Sequence, residues 1–300
     1  MSSEADCEFV CSRGLLKRCD VHPRIQRSGT RHLLDYNWTD LKPGCTVYVS
    51  SASIATFMAS VFPQIPFPFR LVTGDCDLSV PTQVLSEKVV SQLLESDRLL
   101  CWYSQNLILP RRHPKLRPLP IGLDYHTMAS GDHWWGKQAS PVEQEALLKR
   151  IRDSAKPIQD RTCCMYSNFH FAFTERQFAF DRRDAIAQIP KDLIHYEPEP
   201  VNRETSWNTQ SKYAFIASPM GGGLDCHRTW EALVLGGIPV MRSGPLDPLF
   251  DGLPVLLVKK WSDITQDLLE TTQKDYSARW DSFVWEKLRL DYWMAQITTV

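Results

Sequence analysis

Three glycines, an arginine and a glutamate inside one strand–turn–helix unit are the residues of this 300-residue chain best suited to hold a charged ligand. The run from Tyr213 to Pro239, YAFIASPMGGGLDCHRTWEALVLGGIP, reads as a buried strand, a glycine-rich turn, a helix and a second strand. Ser218-Pro219-Met220 closes the first strand, and Gly221, Gly222 and Gly223 allow positive φ and close backbone approach. Asp225 is the expected N-cap of the helix. Arg228 follows in the first turn, and Glu231 lies one turn later on the same face. Free amides and a helix N-terminus can hold a diphosphate, an arginine adds a charge-assisted contact, and an acidic side chain can accept from ribose hydroxyls. The unit points to a nucleotide-type ligand. The alternative is an ordinary glycine-rich connection with Arg228 and Glu231 paired along the helix, because the G-x-G-x-x-G fingerprint is absent.

A second group of side chains can move a proton. Asp75-Cys76-Asp77 follows the apolar run FRLVT, which places both carboxylates at the carboxyl edge of a strand. Such a carboxylate can take a proton from an attacking hydroxyl. Asp75 is the first choice for that base, Asp77 the second, and Asp124 with His126, in IGLDYHT, the third. Two other readings stand beside it. The segment is turn chemistry in which Asp77 caps the following helix, or the Asp-x-Asp pair holds a hard divalent cation against a diphosphate. Trp134-Trp135, in a polar loop, could stack on a sugar face or close an interface, and His195-Tyr196, ending a strand, could cover a base or belong to the core. His227 fits a helix-terminus histidine better than a ligand.

These residues need a scaffold, and the chain alternates strand and helix. Strands are expected at 45–51, 69–73, 98–104 and, interrupted by Pro118 and Pro120, at 115–123 as an edge or a loop. Helices are expected at 53–62, 82–96 and 141–154, the last with Pro141 near its first turn. The rhythm restarts after 155–160 with strands at 161–168, 192–197 and 253–258 and helices at 174–189, 205–211, 264–275 and 279–297. The first forty residues carry few periodic apolar positions and predict no element. The pattern predicts an α/β protein with two mostly parallel, Rossmann-like domains and a ligand cleft at the carboxyl ends of the strands. The expected division is 1–155, 156–275 and a C-terminal segment, 276–300.

Bulk composition narrows the classes. The net charge of -1, from Lys+Arg 34 against Asp+Glu 35, disfavours nucleic acid as a partner. The one dense basic run, RRHPKLR at 111–117, fits a solvated loop. No apolar run reaches the length of a membrane span, and MSSEADCEFV lacks the features of a signal peptide. With that start, nine cysteines without metal-ligand spacing read as reduced thiols in a cytoplasmic compartment. The sequon Asn37-Trp38-Thr39 then carries no weight.

The run SPMGGGLDCHRTWEALVLGGIPV and the downstream SGPLDPLFDGLPVLLVKKWSDI resemble the donor-binding half of exostosin-like glycosyltransferases, over roughly the last third of the chain. LVTGDCDLSVP adds a resemblance to the soluble members of that family encoded by large algal viruses. The resemblance implies the two-domain architecture called GT-B, with the C-terminal helix crossing back to the first domain. It implies inverting, metal-independent transfer of a sugar, xylose from UDP-xylose, to a hydroxyl of an oligosaccharide acceptor, with no cofactor beyond the nucleotide-sugar co-substrate. It places the donor on Ser218, Gly221, Gly222, Gly223, Arg228 and Glu231; Ser167, Asn168 and His195 are further donor-side candidates, and Asp124, His126 and Trp134 are candidates for the acceptor side. An arginine of the helix carrying Thr174, Arg176, Arg182 and Arg183 would reach the phosphates; Arg182 and Arg183 are adjacent, so only one can face the cleft. Lys212 is a further cation of the same kind. A virus-encoded chain would act in host cytoplasm. A metal-dependent Asp-x-Asp transferase and a non-catalytic nucleotide- or sugar-binding protein of the same fold are the alternatives.

Overall fold

The run TVYVS is buried along its whole length, as a parallel strand covered on both faces must be. It is the first strand of a computed structural model that describes residues 2–108, 113–169 and 177–299. In the first half, β1 (Thr46–Ser50), β2 (Phe69–Gly74), β3 (Leu99–Ser104) and β4 (Leu116–Pro118) form a parallel sheet in that order. In the second half, β5 (Thr162–Ser167), β6 (Ile194–Tyr196), β7 (Tyr213–Ala217), β8 (Ile238–Arg242) and β9 (Leu256–Val258) form a parallel sheet in the order β6-β5-β7-β8-β9. The chain is thus the expected α/β protein with two Rossmann-like sheets. Its expected edge strand at 115–123 shrinks to three residues ending at Pro118, which cannot donate to a ladder.

Helices make the crossovers. Those of the first half are α1 (Ser12–Arg18), α2 (Ile54–Ser60), α3 (Glu87–Glu95), α4 (His126–Ala129) and α5 (Pro141–Ser154). Those of the second are α6 (Ala179–Gln188), α7 (Arg203–Gln210), α8 (His227–Val234), α9 (Gln266–Ala278) and α10 (Leu290–Thr298). Helix α5 begins where the sequence predicts, because Ser140 and Glu143 close a capping box and Pro141 occupies the first turn. Helix α3 begins later than predicted, since Ser86 is extended and the preceding residues fold back on the Pro81 carbonyl. The expected helix 174–189 starts at Ala179, and Thr174 and Arg176 lie outside the described residues. Part of the basic run 111–117 does so too.

Two expectations fail for one physical reason: residues far apart in sequence satisfy each other's backbone. The N-terminal segment is structured, with Phe9, Val10, Leu15, Leu16 and Val21 all in the core. The expected helix 279–297 is broken into single turns at Trp280–Ser282 and Trp285–Leu288 before α10. The Val284 amide donates to Gly252 O at 2.8 Å, and Arg289 is extended beside Phe9. The Val10 amide donates to Leu288 O and the Leu290 amide to Glu8 O, each at 2.8 Å. Groups committed to those partners cannot continue an i to i−4 ladder. Helix α10 lies against the first sheet, where Tyr103 Oη donates to Gln296 O at 2.9 Å.

One core lies under the second sheet, around Phe215, Ile238, Val240, Trp261 and Leu269. The other is not confined to the first half: Trp207, Trp230, Leu233 and Phe250 belong to the same apolar cluster as Val47, Leu71 and Trp102. The two sheets are therefore joined by packed hydrophobic surface. Among the described residues no helix is long and apolar enough to cross a membrane, and all nine cysteines are free thiols.

Candidate active site

In the second sheet the strand order reverses between β5 and β7. Loops leaving those two strands diverge and open a crevice, the place where open α/β sheets bind ligands. Ser167, Asn168 and Phe169 leave β5 there, and the glycine turn leaves β7. The cleft has a volume of about 440 Å³. Its walls combine Ser167, Asn168, Arg182, Gly221, Gly222, Gly223, Arg228 and Glu231 of the second half with Asp77 and Trp134 of the first.

The glycines work by close approach rather than by positive φ, because none of the three lies in the left-handed region. A Cβ added at Gly221 would sit 2.7 Å from Arg182 Nη2, and one at Gly223 2.8 Å from the Asn106 amide group. At Gly222 it would collide with Asp77 Oδ2. The turn is pinned from behind: Asp181, fully buried, accepts from the Met220 amide at 2.8 Å and from Trp261 Nε1 at 2.8 Å. Among the described residues the Gly222, Gly223 and Leu224 amides meet no acceptor. Arg228 donates to Pro219 O at 3.3 Å and lies over the Phe169 ring at 5.5 Å. The turn thus presents N–H groups without an acceptor, flanked by two guanidinium groups and by the Asp77 carboxylate.

Asp225 does not cap α8; Cys226 is the N-cap residue. Its buried carboxylate instead spans the two halves, accepting from the Ile121 amide at 2.8 Å and with both oxygens from Trp230 Nε1 at 3.0 Å. Burial pushes Asp225 up to about 6, against the pull of those donors. Asn106, buried with φ 50, donates to Cys76 O at 3.0 Å and accepts from the Asp225 amide at 3.0 Å. His227 Nδ1 lies 2.7 Å from Gly122 O, so that nitrogen must carry the hydrogen. These bonds hold the glycine turn against the first half.

The two aspartates of Asp75-Cys76-Asp77 have separate surroundings. Asp77 is exposed and lines the cleft. Asp75 is buried with φ 53, accepts from Ser28 Oγ at 2.6 Å, and does not line the cleft. Burial raises its carboxyl above the ordinary range, opposed by Ser28, Arg13 and His227. Of the two, Asp77 and not Asp75 stands on the cleft wall. Among the described residues no three His, Cys, Asp or Glu side chains converge to hold a metal ion.

Other expected positions lie elsewhere. Arg183 is exposed while its neighbour Arg182 faces the turn. His195 is stacked on Tyr166 and Tyr213, at ring distances of 6.0 and 5.7 Å, and is not in the cleft. Lys212 is exposed at the amino end of β7, opposite the glycine turn. Ser218 Oγ is used internally, 2.7 Å from Thr229 Oγ1.

Asp124 and His126 form a pair behind the cleft wall, with Nδ1 3.1 Å from Oδ1. Burial disfavours the Asp124 charge, but His227, His126 and Arg203 together hold its carboxyl well below the usual range. Burial pushes His126 down to about 4 despite Asp124. A histidine with a depressed folded pKa contributes stability above its unfolded value, about 6.5, that is lost as pH falls toward 4. Asp225, shifted the other way, opposes it over the same window, so the test is the stability difference in urea between the unaltered protein and His126→Asn, which should change between about pH 6.5 and 4; a difference independent of pH would contradict this origin.

No family model matches the chain, and no curated protein does. Among solved structures, α,α-trehalose 6-phosphate synthase from Burkholderia multivorans is similar at 11% identity and a TM-score of 0.40, over 89% of this chain and 78% of that one.

The residue that sequence reasoning missed is Arg203. It lines the cleft, buried between Trp135 and Trp207 at 4.5 and 5.4 Å from their rings. Its backbone amide donates to Trp135 O at 2.7 Å. Glu231 pairs with this arginine, 3.8 Å away, rather than with Arg228. The one local sign was Asn202 before it, whose side chain caps α7 by accepting from the Thr205 amide at 2.8 Å.

Proposed function

We propose that the protein is a nucleotide-sugar-dependent glycosyltransferase working without a metal ion. The observation that carries this reading is the convergence, at one switch point, of a side-chain-free turn, two arginines, a buried glutamate and a carboxylate from the opposite half. The amides around Gly222 with Arg182 and Arg228 would hold the diphosphate and stabilise its charge as it leaves. Glu231 would accept from the ribose hydroxyls. Beside them, Ser167 Oγ, Asn168 Oδ1 and Trp207 Nε1 are buried without a hydrogen-bond partner among the described residues. One bare acceptor with two groups able to donate suits an imide N–H flanked by two carbonyls, which supports uracil as the base. Asp77 would take the proton from the acceptor hydroxyl, giving direct displacement with inversion. Asp77 lies against Gly222, so the diphosphate can enter only when that carboxylate swings aside. The xylose donor rests on the family resemblance of LVTGDCDLSVP and the glycine unit.

Release of UDP from UDP-xylose, UDP-glucose and other UDP-sugars, with sugar acceptors and EDTA present, tests the proposal, with GDP-sugars as the comparison. UDP release that survives EDTA is expected. Turnover restored only by Mn²⁺ or Mg²⁺ would sink the metal-free mechanism, and no turnover with any donor would favour a binding protein.

A further inference from the structure

We infer that Arg203 is a positioning residue that couples the donor side of the cleft to the acceptor side; the inference rests on the donor-site reading above. One end of its guanidinium is fixed, with Nη1 donating to Asp124 O at 2.7 Å and to Gln144 Oε1 at 3.0 Å. The other end is shared. Nη2 stands 3.9 Å from Asp124 Oδ2, in the first half, and 3.8 Å from Glu231 Oε1, in the second. Both separations are too long for a hydrogen bond. One donor nearly equidistant from two buried carboxylates has two alternative partners. The tryptophan sandwich confines it to choosing between them.

A ligand can tip that balance. Ribose hydroxyls donating to Glu231 satisfy its oxygens and weaken their hold on Nη2. The guanidinium then closes on Asp124, which also holds His126. Occupancy of the nucleotide site would in this way set the geometry on the side where the sugar acceptor arrives. Linkage makes the effect mutual: whatever orders Asp124 and His126 changes nucleotide affinity by the same factor.

The test follows the His126 ring proton resonances by NMR at fixed pH while UDP is added to saturation. In the unaltered protein they should move in step with UDP occupancy. In Arg203→Lys, which keeps the charge but cannot reach both carboxylates from a fixed fork, UDP should still bind and the His126 response should be lost. If Arg203→Lys does not fold, Glu231→Gln gives the second reading: Nη2 is already committed to Asp124, so saturating UDP leaves His126 still. A His126 response that persists in either folded variant overturns the inference, as does UDP binding to the unaltered protein with no response. UDP failing to bind the unaltered protein is a separate result, and it overturns the donor-site reading itself.

Discussion

Asp77→Asn is expected to lower the sugar-transfer turnover number by about 10²–10⁴-fold, the usual contribution of a positioned general base. UDP should bind the variant as well as before or more tightly, because the carboxylate against Gly222 repels a diphosphate and the amide does not. That combination, lost turnover with retained or improved nucleotide affinity, separates a catalytic group from a structural one. Asp75→Asn is the paired measurement. Asn tolerates the left-handed backbone that position requires and can still meet Ser28, so turnover should fall much less. Full turnover in Asp77→Asn with collapse in Asp75→Asn would return the base role to Asp75.

The largest effect on stability should come from Trp230, the buried ring that joins the halves. Trp230→Ala removes a fully buried side chain packed on Phe250, 5.8 Å between centroids, and should cost about 3–5 kcal/mol in urea unfolding. Trp230→Phe keeps most of the volume but takes the Nε1 donor from both Asp225 oxygens. Its cost should depend on pH, and the sign is fixed. The Asp225 pKa is raised to about 6 from the ordinary 3.8, so its contribution to stability is complete below 3.8 and is lost as pH rises through about 6. Removing a donor to the charged form raises that pKa further. The penalty of Trp230→Phe should therefore be larger at pH 7.5 than at pH 5, and equal penalties would mean that Asp225 is not the group involved.

The sequence made some of this legible and hid the rest for identifiable reasons. Thr46–Ser50 is a β-branched run, Tyr213–Ala217 an apolar one, and α5 carries its own start signal, so local pattern suffices. The glycine turn could be read because three glycines before a helix are a local statement about backbone access. What fixes that turn is not local. Asp225 meets Ile121 across 104 residues, Asn106 meets Asp225 across 119, and Arg203 reaches Asp124 across 79. No spacing rule connects such pairs, so local pattern gives Asp225 as a helix cap and does not single out Arg203. Asp75 and Asp77 carry equal sequence signals, and only the fold sends one inward to Ser28 and the other into the cleft. The C-terminal run looked like one helix because its aromatic residues are periodic, while its breaks are imposed by Gly252 and the segment around Phe9.

Calorimetric titration of UDP against uridine, in EDTA, tests the central claim most directly, with Arg228→Ala beside the unaltered protein. Charge-assisted hydrogen bonds contribute about 1.5–3 kcal/mol each, so UDP should bind at least roughly tenfold more tightly than uridine without any divalent ion. Most of that advantage should vanish in Arg228→Ala while uridine affinity stays the same. Equal affinities for UDP and uridine, or a preference for UDP that appears only when Mg²⁺ or Mn²⁺ is restored, would contradict the account.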